Sequence, residues 1–280
     1  MMNIMRADMY RILRGRAVYI ILAIMLVLVG LTVFVFRAAP QTGVVIISSE
    51  PIADDALGGV GEMLNEFLLP DAAEVMSGAM AAQIALSSMD SLIYFILTLI
   101  IVIVMSMFSC GAVKNELSTG LCRVKLYFAK LALTTVLSFV LMFLYLLTTI
   151  LFAIFVDGIG YWGDGFIVDA LASFVALMVL VTAINSVGLF LSFVTRNESI
   201  VIGAYLAILF APMVIIHLLA IAFPSALEIL NYDILNQFGF LSQVTNITIL
   251  ELVRSFAICI VLILVPTFVG ITVFKKAEIK

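Results

Sequence analysis

The sequence predicts an all-α integral membrane protein: six transmembrane helices, an N-terminal cytoplasmic amphipathic helix, and short broken helices in the external connections. Three observations carry that prediction. Apolar residues make up 65% of the 280-residue chain and charged residues only 11%, against about a quarter charged in a soluble domain. So few charges cannot coat a soluble surface, and the surplus apolar area must face lipid. Six uncharged stretches reach the length a helix needs to cross a hydrocarbon core, about 20 residues. The basic residues fall almost entirely in alternate connections between those stretches. The same composition excludes a disordered chain and a nucleic-acid binder.

Residues 1–16 read as an amphipathic helix, with Met5, Met9, Ile12 and Leu13 as an apolar stripe and Arg6, Asp8, Arg11 and Arg14 around it. They lead into the first span, 17–36, whose apolar run is too long for a signal-peptide core and marks an uncleaved anchor. An acidic external segment, 37–91, follows. It sets Glu50, Asp54, Asp55, Glu62, Glu66, Asp71, Glu74 and Asp90 against a single Arg37. Within it, Val44 to Ile47 lean towards strand, and two short amphipathic helices are expected near 62–69 and 72–87. The second is small-sided through Gly78, Ala79, Ala81, Ala82 and Ala85, which suits close helix packing. The second span is 92–113, a cytoplasmic loop occupies 114–130, and the third span is 131–156. The turn after it carries Tyr161 and Trp162, residues suited to headgroup depth. The fourth and fifth spans, 170–194 and 200–223, are joined by a short loop with Arg196. The external connection 224–255 holds two apolar pieces too short to span, read as broken helices. The sixth span is 256–274, completing a single transmembrane domain over 1–280.

An even number of spans puts both termini on one side. Twelve of the 14 basic residues fall on that side, and only Arg37 and Arg254 on the other. The positive-inside rule therefore makes the termini cytoplasmic. Sorted this way, the net charge of −4 resolves into +8 on the inner face and −12 on the outer. An outer face so acidic suits a cationic peptide; its plainer reading is a solvated cap. Cys110 and Cys122 flank the cytoplasmic loop and Cys259 lies in the last span, a spacing that proposes no disulfide and no metal site.

Catalytic patterns are missing from the chain. There is no GxxxxGK[ST] loop, no GxSxG, and a single histidine, so no HExxH. The chain is expected not to be an enzyme, and to hold no cofactor or metal itself. No span contains Asp, Glu, Lys or Arg, which argues against an ion-coupled carrier. His217, in the fifth span, reads either as a proton-linked group or as a neutral imidazole bonded between helices. Asn185, Ser186 and Ser192 in the fourth span, and Thr134, Thr135, Ser138, Thr148 and Thr149 in the third, read mostly as interhelical contacts. Asn185, Ser186 and His217 are the candidate residues of a translocation path. Pro212 and Pro266 mark places where the fifth and sixth spans can kink.

Two segments carry a resemblance: the helix MRADMYRILRGRAVYI leading into the first span, and the loop VKNELSTGLCRVKLYFAK, 113–130. The loop sets Glu116, then Ser118, Thr119 and Gly120, then the basic-aromatic run Arg123, Lys125, Tyr127, Phe128 and Lys130. Together with the span plan, this resembles the type-two exporter permeases of the ATP-binding cassette (ABC) superfamily, including permeases of lantibiotic immunity and peptide export. The resemblance implies a coupling helix in the loop that docks on a separate ABC ATPase, with Glu116, Gly120, Arg123 and Lys125 at that contact. It further implies ATP and Mg on the partner ATPase, a homodimer or a heterodimer with a paralogous permease, and a bacterial plasma-membrane location. A non-transporting assembly or sensor protein, binding through its acidic external segment, is the alternative.

Overall fold

The computed structural model describes residues 8–10, 12, 14–42, 78–109, 113, 122–158, 166–242 and 249–276. Those residues are helical almost throughout and include no strand. In chain order the elements are α1 (Arg16–Thr42), α2 (Gly78–Ser87), a 3-10 turn (Ser88–Ser91), α3 (Leu92–Ile100), a π-helical stretch (Ile101–Met105) and α4 (Ser106–Ser109). Then come α5 (Arg123–Asp157), α6 (Phe166–Thr195), α7 (Glu198–Ala222), a 3-10 segment (Pro224–Tyr232), α8 (Ile234–Ser242) and α9 (Ile249–Lys276).

Among the described residues, five stretches are long and apolar enough to cross a membrane: Ala81–Phe108, Arg123–Val156, Phe166–Thr195, Glu198–Ile221 and Ile249–Lys276. The apolar part of α1, Val18–Phe34, is shorter than these. Several helices overrun the uncharged stretches that predicted them. A charged side chain marks where hydrocarbon ends, not where backbone hydrogen bonding ends, so the helix continues into the polar layer. Thus α5 begins at Arg123 rather than at residue 131, and α9 begins at Ile249 rather than at residue 256.

The second span differs most from expectation. The small-sided helix expected as a separate external piece over 72–87 is described from Gly78, and it runs through the 3-10 turn straight into α3. The candidate span accordingly starts at Ala81 and includes Asp90. Packing explains the continuity. Ala81, Ala82 and Ala85 are fully buried and let α2 lie close against α5, as small residues do between membrane helices. At the turn, the Ser88 hydroxyl donates to the Ile84 carbonyl at 2.7 Å and lies 2.9 Å from the Tyr145 hydroxyl of α5. Residues 43–77, with seven of the eight acids of the first external segment, lie beyond the described residues, as do the expected strand-like run and the 62–69 helix.

The centre of the bundle is α6. It is apolar all round, as a membrane span is, and it packs against α2, α3, α5, α7, α8 and α9, while Ile167, Val168, Leu171 and Val175 near its start stay exposed. Its middle, Val181 to Leu189, is buried except for the half-buried Thr182. Gly188 sits where α6 meets α3 and α7; a Cβ there would overlap Ile100 Cδ1 and fall 3.1 Å from the Tyr205 ring. Around this core, large apolar side chains such as Phe155, Ile221 and Phe268 face outward, the distribution a lipid-exposed bundle requires. On the side of α9, the Ser186 hydroxyl reaches the Ile263 carbonyl at 3.1 Å and Thr267 Oγ1 at 3.0 Å. Pro266, inside α9, has no N–H to give the Leu262 carbonyl, and the Ser186 contact falls on the next carbonyl along.

Candidate functional site at the head of α5

The expected coupling residues lie in or just before the first turns of α5. Glu116 and Gly120 fall outside the described residues. Lys125 is exposed, whereas Arg123 is turned onto the end of α9. Its Nη1 donates to the Phe274 carbonyl at 3.1 Å and the Lys275 carbonyl at 2.8 Å, and its guanidinium stands 6.0 Å from the Phe274 ring centre. The last carbonyls of a helix have no intrahelical donors, so a cation at that end is favoured both as hydrogen-bond donor and by the helix dipole. Arg123→Ala should lower the unfolding free energy by about 1–2 kcal/mol, and Arg123→Lys should recover only part of it. Thermal unfolding of the detergent-solubilised protein checks both.

Behind Arg123 the helices meet through aromatic rings. Phe193 of α6 is the hub: Tyr127 of α5 lies 4.9 Å away, Phe274 of α9 4.7 Å and Phe108 of α4 5.5 Å. Edge-to-face pairs of this kind add about 0.5–1.5 kcal/mol each beyond their burial. Close approach of α9 depends on Gly270, where a Cβ would come within 2.7 Å of the Tyr127 hydroxyl. Arg196, in the tight link between α6 and α7, has a left-handed backbone (φ 51°) and places its guanidinium 5.9 Å from the Phe108 ring.

The N-terminal segment joins the same end. Asp8 and Ile12 are buried, and the Asp8 carboxylate accepts a 2.6 Å hydrogen bond from Lys130 Nζ. This ion pair is almost fully enclosed, with the Lys130 side chain 0% and the Asp8 side chain 7% exposed. The sequence placed Asp8 on the polar face of an amphipathic helix and Met9 in its apolar stripe. The structure buries Asp8 and leaves Met9 exposed. One signal was available: a lysine two turns inside an otherwise apolar helix demands a partner. The identity of that partner, more than 100 residues earlier in the chain, was not legible.

The candidate path residues do not come together. Asn185 is fully buried and pairs with Ser138 of α5, its Nδ2 donating to Ser138 Oγ at 3.0 Å. Ser186 faces α9 as described. His217 is exposed on α7, with Nδ1 2.8 Å from the Met213 carbonyl of its own helix, so its bond is within the helix and not between helices. Thr134, Thr148 and Thr149 likewise bond back to carbonyls three or four residues earlier.

At the other end of the bundle, the 3-10 segment and α8 are tied together by Asn236 Nδ2 to the Leu230 carbonyl (2.9 Å) and Gln237 Nε2 to the Asn231 carbonyl (2.8 Å). Asp233, between them, is buried, and its pKa is raised above the ordinary carboxylate value by desolvation, with backbone N–H groups at 234–236 pulling the other way. A raised carboxyl pKa means that the folded protein binds the proton more tightly. Its stabilising contribution is present below the unfolded value near 3.8 and is lost as pH rises through the folded pKa. Asp233→Asn should therefore unfold at higher temperature than the parent at pH 7 and at the same temperature at pH 3.5.

No family model, no curated protein and no solved structure matches this chain.

Proposed function

We propose that this protein is the six-span permease subunit of an ATP-driven ABC exporter in a bacterial plasma membrane. In this reading both termini are cytoplasmic, and the subunit forms a homodimer or pairs with a paralogous permease. The observation that supports the reading is mechanical. The segment resembling a coupling helix leads directly into α5, and the first two turns of α5 are joined to the N-terminal segment through Asp8, to α6 through Phe193, and to α9 through Arg123 and Phe274. Packed side chains at this density move together. A push on the 114–122 segment by a partner ATPase would then reach the central helix and both its neighbours.

The partner supplies ATP, Mg and the hydrolysis; this chain supplies the moving path. The acidic external segment points to a cationic peptide or another amphipathic compound as cargo. Glu116 and Lys125 are the charges to reverse, because Arg123 already holds α9 and its loss would weaken the fold. Co-expression with an ABC ATPase subunit from the same organism should give a stable complex. Glu116→Lys with Lys125→Glu should cut recovery of that complex about tenfold while the permease keeps its elution volume. Undiminished recovery would remove these two residues from the contact, and no complex with any ATPase would remove the reading. A sensor protein without transport predicts peptide binding with no ATP-dependent movement in proteoliposomes.

A further inference from the structure

A groove of about 610 Å³ runs between α7 and α9 on the outside of the bundle. It lies within the 300–1,000 Å³ range of small-ligand sites. Its walls are apolar, with Pro212 and Ile216 on one side and Ala257 and Val261 on the other, and its head is formed by Tyr232, Asp233 and Arg254. Arg254 is not a side chain waving in the headgroup layer: the rings of Tyr232 and Phe240 flank its guanidinium at 5.4 and 5.6 Å. Yet among the described residues its Nε and Nη2 have no acceptor, and Asp233 Oδ2 has no donor. No ion pair between Arg254 and Asp233 closes the gap, although both line the same groove. One end of the groove thus offers two enclosed N–H donors and a carboxylate oxygen, each lacking a partner, and buried groups of this kind are normally satisfied.

Position narrows the occupant. Arg254 is about 20 residues from Phe274 along α9, or about 30 Å at the helical rise, the thickness of a hydrocarbon core. With Arg123 and Lys275 at one interface, Arg254 stands at phosphate depth in the other, and the apolar groove runs from it into the acyl layer. We propose that this groove binds a membrane glycerophospholipid whose headgroup carries a phosphate and a primary ammonium. The phosphate is held by Arg254, the ammonium by Asp233, and an acyl chain lies between α7 and α9. A guanidinium matches phosphate oxygens in a bidentate fork, and a primary ammonium brings the N–H donor that Asp233 Oδ2 lacks. This inference is independent of any ATPase partner.

The test is native mass spectrometry of the purified full chain with equal amounts of phosphatidylethanolamine, phosphatidylglycerol and phosphatidylcholine of identical acyl chains. The amine lipid should be retained about fivefold over the other two. Arg254→Gln should reduce its retention to the level of phosphatidylcholine. Asp233→Asn, which keeps a good helix-capping residue, should abolish the preference for the amine lipid. Ala257→Phe should reduce retention of all three lipids by filling the groove. Free phosphoethanolamine at millimolar concentration should not compete. Indifference among the lipids, a preference for phosphatidylglycerol, survival of the preference in both head variants, or full competition by the soluble headgroup would each overturn the proposal. The three variants change different parts of the site, so failure of one to fold leaves the other two decisive.

Discussion

Lys130→Met should free the N-terminal segment from the bundle and lower stability by about 3 kcal/mol. The pair it breaks is enclosed, with Lys130 fully buried and Asp8 nearly so. Removing one partner strands a charge in a medium that cannot solvate it, a loss of about 3–5 kcal/mol when the remaining charge has no escape. Asp8 does have an escape, since the segment carrying it can swing into water, and this places the expected effect at the lower end. The swing is itself measurable. In a background with all three cysteines replaced, Ile12→Cys should react slowly with a maleimide, because Ile12 is 3% exposed. Adding Lys130→Met should speed that reaction more than tenfold. Pairing Lys130→Met with Asp8→Leu should cost less than Lys130→Met alone, because no charge is then left unpaired. Equal labelling rates with and without Lys130 would show that the ion pair does not hold the segment.

Gly188→Leu should be at least as damaging, also at about 3 kcal/mol. The β-carbon alone overlaps the tip of Ile100 and crowds Tyr205, both fully buried, so a longer side chain must displace α3 or α7 from α6. Gly188→Ala should cost less, since the end of Ile100 can rotate aside. Gly203 is the control. Nothing stands within 4 Å of a Cβ built there, and Gly203→Ala should be neutral or stabilising by up to about 1 kcal/mol from helix propensity. Thermal unfolding of the three variants in one detergent gives the comparison. A Gly188→Leu protein as stable as the Gly203→Ala protein would mean that the α3, α6 and α7 contact is looser than its geometry.

Several features were legible before any coordinate. The uncharged stretches located the long helices because lipid leaves backbone groups only internal partners, and the connection 224–255 read as broken helices, where the structure has the 3-10 segment and α8 before α9 begins at Ile249. The small-residue side of 78–87 announced close packing, and α2 does bury it against α5. The separation of that helix from the span was misread. Asp90 looked like a boundary, and what carries the helix past it is the Ser88 contact with Tyr145, which no local pattern encodes.

Residue pairings were the least legible. Periodicity says which face of a helix is apolar but not which helix it meets, and in a bundle this apolar every face looks alike. Asn185 and Ser186 are adjacent, yet one turns to Ser138 of α5 and the other to Thr267 of α9. Arg123 read as a charge for a partner protein, and its bonds to the end of α9 had no signal in the sequence. By itself the sequence determined the helical class and most of the long helices, because each follows from the cost of placing charge and bare backbone in hydrocarbon. The tertiary structure alone decided that α6 is the hub, that Asp8 is buried against Lys130, and that Arg254 and Asp233 share one groove. Those outcomes depend on contacts between residues far apart in the chain, whose geometry exists only once the helices are assembled.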